Sequence, residues 1–327
     1  MHGFRELVIE SWQQHRPLVV IVMYSLCCLT VSASGLAFDH KVIAGENAWI
    51  KPCKFSISLA TYGLTLLWYS RFLTQHQVLM RRMSVAAMVG TIVELSTIII
   101  QVLRGTTSHF NTSTTFNHVM FWITTSAIVP VAFALIALFV MLLREKNLHP
   151  VLGAALRWAL LITIVGFIPG VLMILPDRLQ DAITCYKQFD GHTIGFSEGG
   201  PGIPFLGWST VAGDLRIAHF VGIHALQVVP IIGMLIDVGL PRLKSSRQQM
   251  LVSIFALSYL ILIALLTGQA LSAESLFSSS THSILIAAGL LAVGLCAVAC
   301  TIWSPSASLC KLTIPGDAAA DIGKSPN

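Results

Sequence analysis

Eight long apolar stretches run through the 327 residues of this chain, and they decide what it can fold into. Each has about 20 residues or more, the length that a helix needs to cross the ~30 Å hydrocarbon core of a bilayer. Charged residues make up only 11% of the sequence, whereas a soluble domain carries about 25%. The sequence therefore predicts an integral membrane protein. The predicted spans are roughly residues 17–38, 54–73, 83–104, 118–143, 151–175, 216–238, 250–272 and 282–303.

These spans predict an all-α bundle of about eight transmembrane helices, because they are too long and too uniformly apolar for barrel strands. The first stretch is long for a signal peptide and no A-x-A cleavage site follows it, so we interpret it as a span. We expect a single domain over residues 1–303 and a disordered cytoplasmic tail over residues 304–327. The net charge of +5 is scattered without a basic run, which argues against a nucleic-acid partner.

Lys and Arg residues are divided unevenly between the two sides of the predicted bundle. Apart from Arg157 inside a span, twelve lie on the side of the N-terminus and seven on the other side. The positive-inside rule then predicts that both termini are cytoplasmic, provided that the number of spans is even.

The longest predicted outer loop covers residues 177–215 and is rich in glycine. It also contains Phe189, Phe196, Phe205 and Trp208, which argue against disorder. Structureless loops beyond about 12–15 residues are uncommon. We therefore expect a folded cap over the outer mouth of the bundle, and the alternative is a connector that lies on the membrane surface.

Polar and ionisable residues are concentrated in the third and sixth predicted spans. Charge inside a membrane is costly, so such residues usually face the protein interior and serve a function. They are predicted here to bind a ligand or to relay protons, together with two loop residues, His109 and Asp214. The span residues are Glu94, Gln101 and Arg104 in the third span and Arg216, His219, His224 and Gln227 in the sixth.

The depths of these residues match across the two spans. Glu94 lies about 15 Å below the outer boundary and His224 about 12 Å below it, at ~1.5 Å per residue. Residues that recur at spacings of three and four share one face of a helix, as Glu94, Thr97 and Gln101 do within the third span. If the two helices are neighbours, the spacing predicts a polar cavity that opens outward, in which Glu94 contacts His224. The alternative is that the glutamines bond neighbouring helices and that Arg104 and Arg216 snorkel to the interface.

The histidines leave cofactor chemistry open. His109, His219 or His224 could bind zinc with Glu94 or Asp214. However, the five-residue spacing between His219 and His224 does not place both side chains over one spot. Haem would need a second axial ligand opposite His224, for which His118 and His282 are the candidates.

Other sequence motifs match known sites only as strings of letters. Residues 195–199 spell G-x-S-x-G, but they lie in a glycine-rich loop without the strand and helix that a nucleophile elbow requires.

Cys53 and Cys185 both fall on the predicted outer side, where an oxidising compartment would allow a disulfide.

Three segments of the chain are similar to known sequences. They are Glu46–Pro52, Arg104–Gly105 with Ser108–Asn111, and Gly213–Arg216 with Ala218–Phe220. Through them the chain resembles, over about residues 45–235, a group of bacterial multi-pass membrane proteins without an assigned activity. The resemblance implies a bacterial inner-membrane location and no role for any residue.

Three functions remain open from the sequence. The leading hypothesis is binding and movement of a small polar or ionic solute, coupled to protons through Glu94. The alternatives are a membrane-embedded metal-dependent or haem/quinone redox enzyme and a non-catalytic sensor or assembly factor.

Overall fold

The structure is a computed structural model that describes residues 4–175, 177–184, 189–197, 200–278 and 281–303. Its helices are α1 (Phe4–Phe38), α2 (Ile50–Ser70), α3 (Gln77–Leu103), α4 (Thr115–Arg144), α5 (Pro150–Met173), α6 (Asp177–Thr184), α7 (Leu215–Gly239), α8 (Ser245–Leu271) and α9 (Thr281–Trp303). Its strands are β1 (Val42–Ile43), β2 (Glu46–Asn47), β3 (Phe189–Asp190), β4 (Thr193–Ile194) and β5 (Gly213–Asp214). The predicted tail over residues 304–327 lies outside the described residues.

Seven helices in the described residues are long and apolar enough to cross a membrane, which confirms the all-α, multi-pass fold. Of the eight predicted spans, α2 is the exception. It forms at the predicted place and has 21 residues, but Lys54 and several hydroxyl side chains reduce its apolar character. Seven of the eight predicted spans therefore have the hydropathy of a membrane span, and α2 is a further long helix that packs against α1.

Helix packing divides the bundle into neighbouring groups. α5, α7 and α8 pack on one another, and α1 packs on α2 and α3. α4 joins the groups through its contacts with α3 and α5, and α9 packs on α8. The predicted pairing of the third and sixth spans is therefore not how the bundle is built, since the main neighbours of α7 are α5 and α8.

Two glycines bring α5 and α7 into close contact. A Cβ atom placed on Gly166 would lie 2.5 Å from the backbone of Gly222, and one placed on Gly222 would lie 2.4 Å from the Cα of Gly166. Real Cβ atoms do not approach a backbone so closely, so both positions require glycine. Small residues allow this close packing between membrane helices, where the hydrophobic effect contributes little.

The largest apolar core lies away from the long connections, towards the other end of the bundle. Its fully buried members include Leu18 of α1, Tyr69 at the end of α2, Met80 at the start of α3 and Leu142 at the end of α4. Tyr69 also donates a hydrogen bond from its hydroxyl to the carbonyl of Leu226 in α7. This end of the bundle is therefore held mainly by packed apolar side chains.

The end of the bundle away from this apolar core carries a layer of folded connections, which we call the loop layer. It consists of the described residues of 39–49, 104–114, 174–214 and 272–278. Its first connection is a β1–β2 hairpin whose turn residues Ala44 and Gly45 have φ values of +50° and +81°, as a two-residue hairpin turn of type I′ requires. The longest connection contains α6 and an antiparallel sheet in the order β3-β4-β5. This folding confirms the predicted folded loop.

Apolar contacts join the connections of the loop layer to one another and to the helix ends. Ile194 of β4, Leu215 of α7 and Ala270 of α8 form one buried cluster, against which Phe110 packs. Ala48 and Trp49 form a second cluster with Val102 of α3. Cys53 is buried in the first turn of α2, but Cys185 lies outside the described residues, so the Cys53–Cys185 disulfide stays a prediction.

Candidate functional site

Glu94 is a buried carboxylate in the apolar helix α3, with 4% of its surface exposed. Its Oε1 atom lies 3.2 Å from Nε2 of His109, which belongs to the 104–114 connection. The predicted partner, His224, instead has its Nδ1 atom 3.3 Å from Oε1 of Gln227. The prediction that Glu94 contacts His224 is therefore wrong, because α3 and α7 are not packed as the matched depths assumed.

His109 is held in place from several sides. The Ser108 hydroxyl lies 2.9 Å from Nδ1 of the imidazole, and the ring of Phe55 in α2 lies 5.8 Å away between centroids. With the ring proton on Nε2, the imidazole accepts from Ser108 at Nδ1 and faces Glu94 with its N–H side. Ser108, His109 and Glu94 thus form a row of three polar side chains, which we call the Ser108–His109–Glu94 chain.

The backbone of the 104–114 connection turns back towards the bundle directly after α3. The amide of Thr106 donates to the Gln101 carbonyl and that of Gly105 to the Val102 carbonyl, which is the Schellman pattern at a helix end. Gly105 has a φ of +75°, which glycine adopts without steric cost. Phe110 has a φ of +56°, which is unusual for a bulky residue and costs about 1–3 kcal/mol.

This turn lets His109 reach below the end of the helix. Glu94 lies nine residues before Leu103, the last residue of α3, which is about 13 Å along the helix axis. Phe55, the other neighbour of His109, lies in the second turn of α2. The connection therefore inserts a polar side chain between α2 and α3.

Gln101 and Arg104 hold the start of α4 against α3. Nε2 of Gln101 donates to Oδ1 of Asn117 at 3.1 Å, and the guanidinium of Arg104 lies 4.1 Å from the ring centroid of Phe116. The amide oxygen of the same side chain, Oε1 of Gln101, is buried without a hydrogen-bond partner among the described residues. Arg104 thus has a structural partner, while Gln101 retains a buried acceptor.

Asp214 is the second buried carboxylate and caps the N-terminus of α7. It accepts hydrogen bonds from the backbone amides of Arg216 and Ser209, each at 3.0 Å. The Arg216 guanidinium pairs with it in a bidentate manner, through Nε at 3.0 Å and Nη2 at 2.7 Å. Burial alone would raise the pKa of Asp214, but the hydrogen bonds and charge of Arg216, with a smaller contribution from His192, hold this pKa below its ordinary value.

Charged residues from the first connection and α2 extend the pair at Asp214. Arg216 donates to the Gly207 carbonyl, and Nζ of Lys54 donates to the neighbouring Leu206 carbonyl at 3.0 Å. Lys54 also lies 3.7 Å from Oε2 of Glu46. The network therefore ties the long connection to α2, α7 and the first hairpin.

His192 is a site residue that sequence reasoning missed. Its Nδ1 atom lies 3.9 Å from Oδ1 of Asp214 and 2.9 Å from the Thr193 hydroxyl. The ring of Phe110 lies 6.2 Å from both His192 and His109 between centroids. Two histidine–carboxylate pairs, each with a hydroxyl on Nδ1, thus flank one aromatic ring. No periodic pattern marks His192, because it lies in a glycine-rich connection.

His219, His224 and Gln227 lie elsewhere, along α7. Nδ1 of His219 is 2.8 Å from the Gly166 carbonyl of α5, and Nε2 of Gln227 donates to the Thr65 hydroxyl of α2 at 3.0 Å. His224 packs its ring on Phe220, with 4.3 Å between centroids. His219 and Gln227 therefore bond α7 to α5 and α2, while His224 contacts residues of α7 itself, and none of the three pairs with Glu94.

The structure brings the predicted metal ligands Glu94 and His109 together but adds no third ligand to them among the described residues. Among the described residues, no group of three or more His, Cys, Asp or Glu side chains has a metal-binding arrangement. His118, the candidate haem ligand, accepts a hydrogen bond at Nε2 from Trp122 at 2.7 Å. The side chain of His282 lies outside the described part of the structure.

The predicted outward cavity between the third and sixth spans is likewise not shown. One cavity is a void of about 10 Å³ bordered by Tyr62, Met80 and Leu135. Another is a surface depression of about 360 Å³ along residues 75–82. Neither is lined by Glu94, His109, Asp214 or His224.

Comparison with known proteins yields no match, whether with family models, with curated proteins or with solved structures.

Proposed function

We propose that this multi-pass membrane protein binds and moves a small polar or ionic solute, with a proton carried by the Ser108–His109–Glu94 chain. The observation that carries the proposal is the insertion of His109 from a connection onto a buried glutamate of a membrane helix. Ionisable residues inside the membrane typically mark ion pathways and proton relays.

The Ser108–His109–Glu94 chain can change its protonation without moving its heavy atoms. When Nδ1 of His109 is unprotonated, it accepts from the Ser108 hydroxyl, which lies 2.9 Å away. When Nδ1 gains a proton, the hydroxyl can rotate and accept instead, because a serine hydroxyl both donates and accepts. Histidine is also the side chain whose ordinary titration falls within the physiological pH range.

Two buried oxygen atoms on α3 support the binding of a polar solute near this chain. Oγ1 of Thr91 and Oε1 of Gln101 have no hydrogen-bond partner among the described residues. They lie on the same helix as Glu94, three residues before it and seven after it. A buried polar group without a partner costs about 1–3 kcal/mol, so a solute that bonds these groups would gain that energy.

The shape of the 104–114 connection also favours a pathway. Non-helical backbone at membrane depth is tolerated only where it is buried in protein or lines a cavity. The left-handed φ of Phe110 marks the point at which the connection turns, between His109 and His192. A shift of this turn would expose Glu94 to the loop-layer side.

A binding screen tests the proposal. Purified protein is heated in detergent with pools of amino acids, organic acids and inorganic ions, and its midpoint of unfolding is measured. We expect at least one pool to raise the midpoint of the wild type and of Glu145→Gln but not of Glu94→Gln. Glu145 is a matched control because it is also a glutamate with 4% exposure. Equal shifts in all three proteins, or no shift in any, would contradict the proposal.

We also propose that the membrane is a bacterial inner membrane with both termini in the cytoplasm. The resemblance of residues 45–235 to bacterial multi-pass membrane proteins supports this membrane, and the excess of Lys and Arg on one side supports the orientation. It requires α2 to cross the membrane despite its lower hydropathy. Reporter fusions after residue 76 and after Asn327 test it, since both positions are expected to be cytoplasmic. Activity of a periplasm-only reporter at either position would overturn it.

A further inference from the structure

We propose that α6 is an interfacial helix whose apolar flank, Leu179 and Ile183, inserts into the bilayer surface beside α5. This inference is independent of the solute proposal. It concerns how the long connection is attached to the membrane, and its partner is the phospholipid bilayer itself.

The first argument is the position of α6. Nε2 of Gln180 donates to the carbonyls of Leu172 and Met173, at 3.3 and 3.2 Å. These carbonyls belong to the last turn of α5, which has no intrahelical donors for them. The bond therefore fixes α6 at the end of an apolar span, where the hydrocarbon core meets the headgroups.

The second argument is the division of α6 into three flanks. Gln180 and Thr184 are buried against the protein. At about 100° per residue, Leu179 and Ile183 share a second flank, where they are 51% and 45% exposed. Arg178 and Asp181 are exposed on the third flank. One flank thus faces protein, one presents aliphatic side chains, and one carries charge, as a helix at the edge of a membrane requires.

The third argument is that α6 follows the exposed apolar end of α5 along the chain. Ile168, Val171 and Ile174 are exposed near the end of α5, and the exposed aliphatic side chains of α6 follow directly along the chain. A second protein is a poorer occupant, because a stable interface needs about 800 Å² from each partner. Two aliphatic side chains are sufficient to enter a bilayer surface but not to form such an interface.

Site-directed spin labelling tests the proposal in the full chain. The native cysteines are replaced, and a nitroxide is placed in turn at Leu179, Ile183, Asp181 and Ile168. The protein is reconstituted into vesicles of phosphatidylethanolamine and phosphatidylglycerol. Collision of each label with apolar oxygen and with a water-soluble nickel chelate is then measured.

We expect labels at 179 and 183 to favour oxygen over nickel severalfold more than the label at 181 does, and to approach the ratio at 168. Dominant nickel access at 179 and 183 would show that this flank faces water, and it would overturn the proposal. Low access to both reagents would show a protein cover and would also overturn it. Both positions are exposed, so surface substitutions there should leave the fold intact, and either one alone decides the question.

Discussion

Buried glutamates have different partners in the two halves of the bundle. Below the loop layer, Glu94 of α3 pairs with the imidazole of His109, which reaches down from the 104–114 connection to 3.2 Å. At the opposite end, Glu145 is equally buried, but its Oε2 atom has no hydrogen-bond partner among the described residues. Its neighbour Arg157 donates instead to the backbone carbonyls of Leu142 and Glu145. Burial alone therefore does not identify the site, since only Glu94 has an ionisable partner from another segment.

The connections at the two ends explain part of this difference. The opposite end joins its helices by short segments, such as residues 145–149 and 240–244, which apolar packing can hold. The loop layer contains the described part of residues 174–214, whose ordering costs more conformational entropy. Paired charges such as Asp214 and Arg216 offset that cost.

The largest effect is expected from Arg216→Ala. It leaves the carboxylate of Asp214 buried without its guanidinium partner, and breaking a buried pair costs roughly 3–5 kcal/mol. Since a third of the Arg216 side chain is exposed, we expect a value near the lower limit. Denaturant unfolding in mixed micelles measures the free energy, and Arg242→Ala serves as an exposed control. Equal stability of the two variants would show that the pair does not hold the loop layer.

Acid should weaken the same pair. The pKa of Asp214 is lower in the folded protein than its ordinary value of 3.8. Its ionised form therefore contributes stability that is fully present above the unfolded value and is lost as the pH falls through the folded value. We expect the stability difference between the wild type and Asp214→Asn to narrow below about pH 4. A constant difference from pH 7 to 3 would contradict this account.

A smaller loss is expected where α5 meets α7. Gly222→Ala places a Cβ atom 2.4 Å from the Cα of Gly166, and overpacking of this kind costs about 1–3 kcal/mol. Gly268→Ala in α8 is the matched control, because a Cβ atom there meets nothing within 4 Å. Thermal unfolding compares the two variants, and a loss in Gly268→Ala as large as in Gly222→Ala would refute the close-contact explanation.

The smallest effect is expected at the end of the bundle away from the loop layer. His149 lies 3.6 Å from Asp237, but their side chains are 54% and 35% exposed. Exposed pairs contribute about 0–1 kcal/mol. We therefore expect Asp237→Asn to change the unfolding free energy by less than about 1 kcal/mol. A loss that matches Arg216→Ala would erase the contrast between the two ends.

The fold could be predicted from the sequence because span length and apolarity directly reflect the bilayer. The packing order of the spans could not, since hydropathy does not say which helices are neighbours. Matched depth alone therefore predicts His224 as the partner of Glu94, although the Gly166–Gly222 contact holds α7 against α5. The length of α2 predicts a span, whereas its hydroxyl side chains lower its hydropathy below that of the other long helices.

Loop residues were harder to predict than span residues. Asp214 and Arg216 stand at the start of a span, where helix caps and interfacial charges are expected. His192 depends on the pairing of β4 with β5, which brings Thr193 opposite Asp214. A pairing between residues so distant in sequence leaves no local periodicity to detect.

Proton movement in proteoliposomes tests the central claim most directly. Wild type, Glu94→Gln and Glu145→Gln are reconstituted with a pH-sensitive dye inside the vesicles, and the solute pools are added outside. The account predicts that a pool changes the internal pH with the wild type and with Glu145→Gln, and that Glu94→Gln abolishes the change. An undiminished signal in Glu94→Gln, or no signal from any pool with folded wild-type protein, would contradict a proton-carrying role for Glu94.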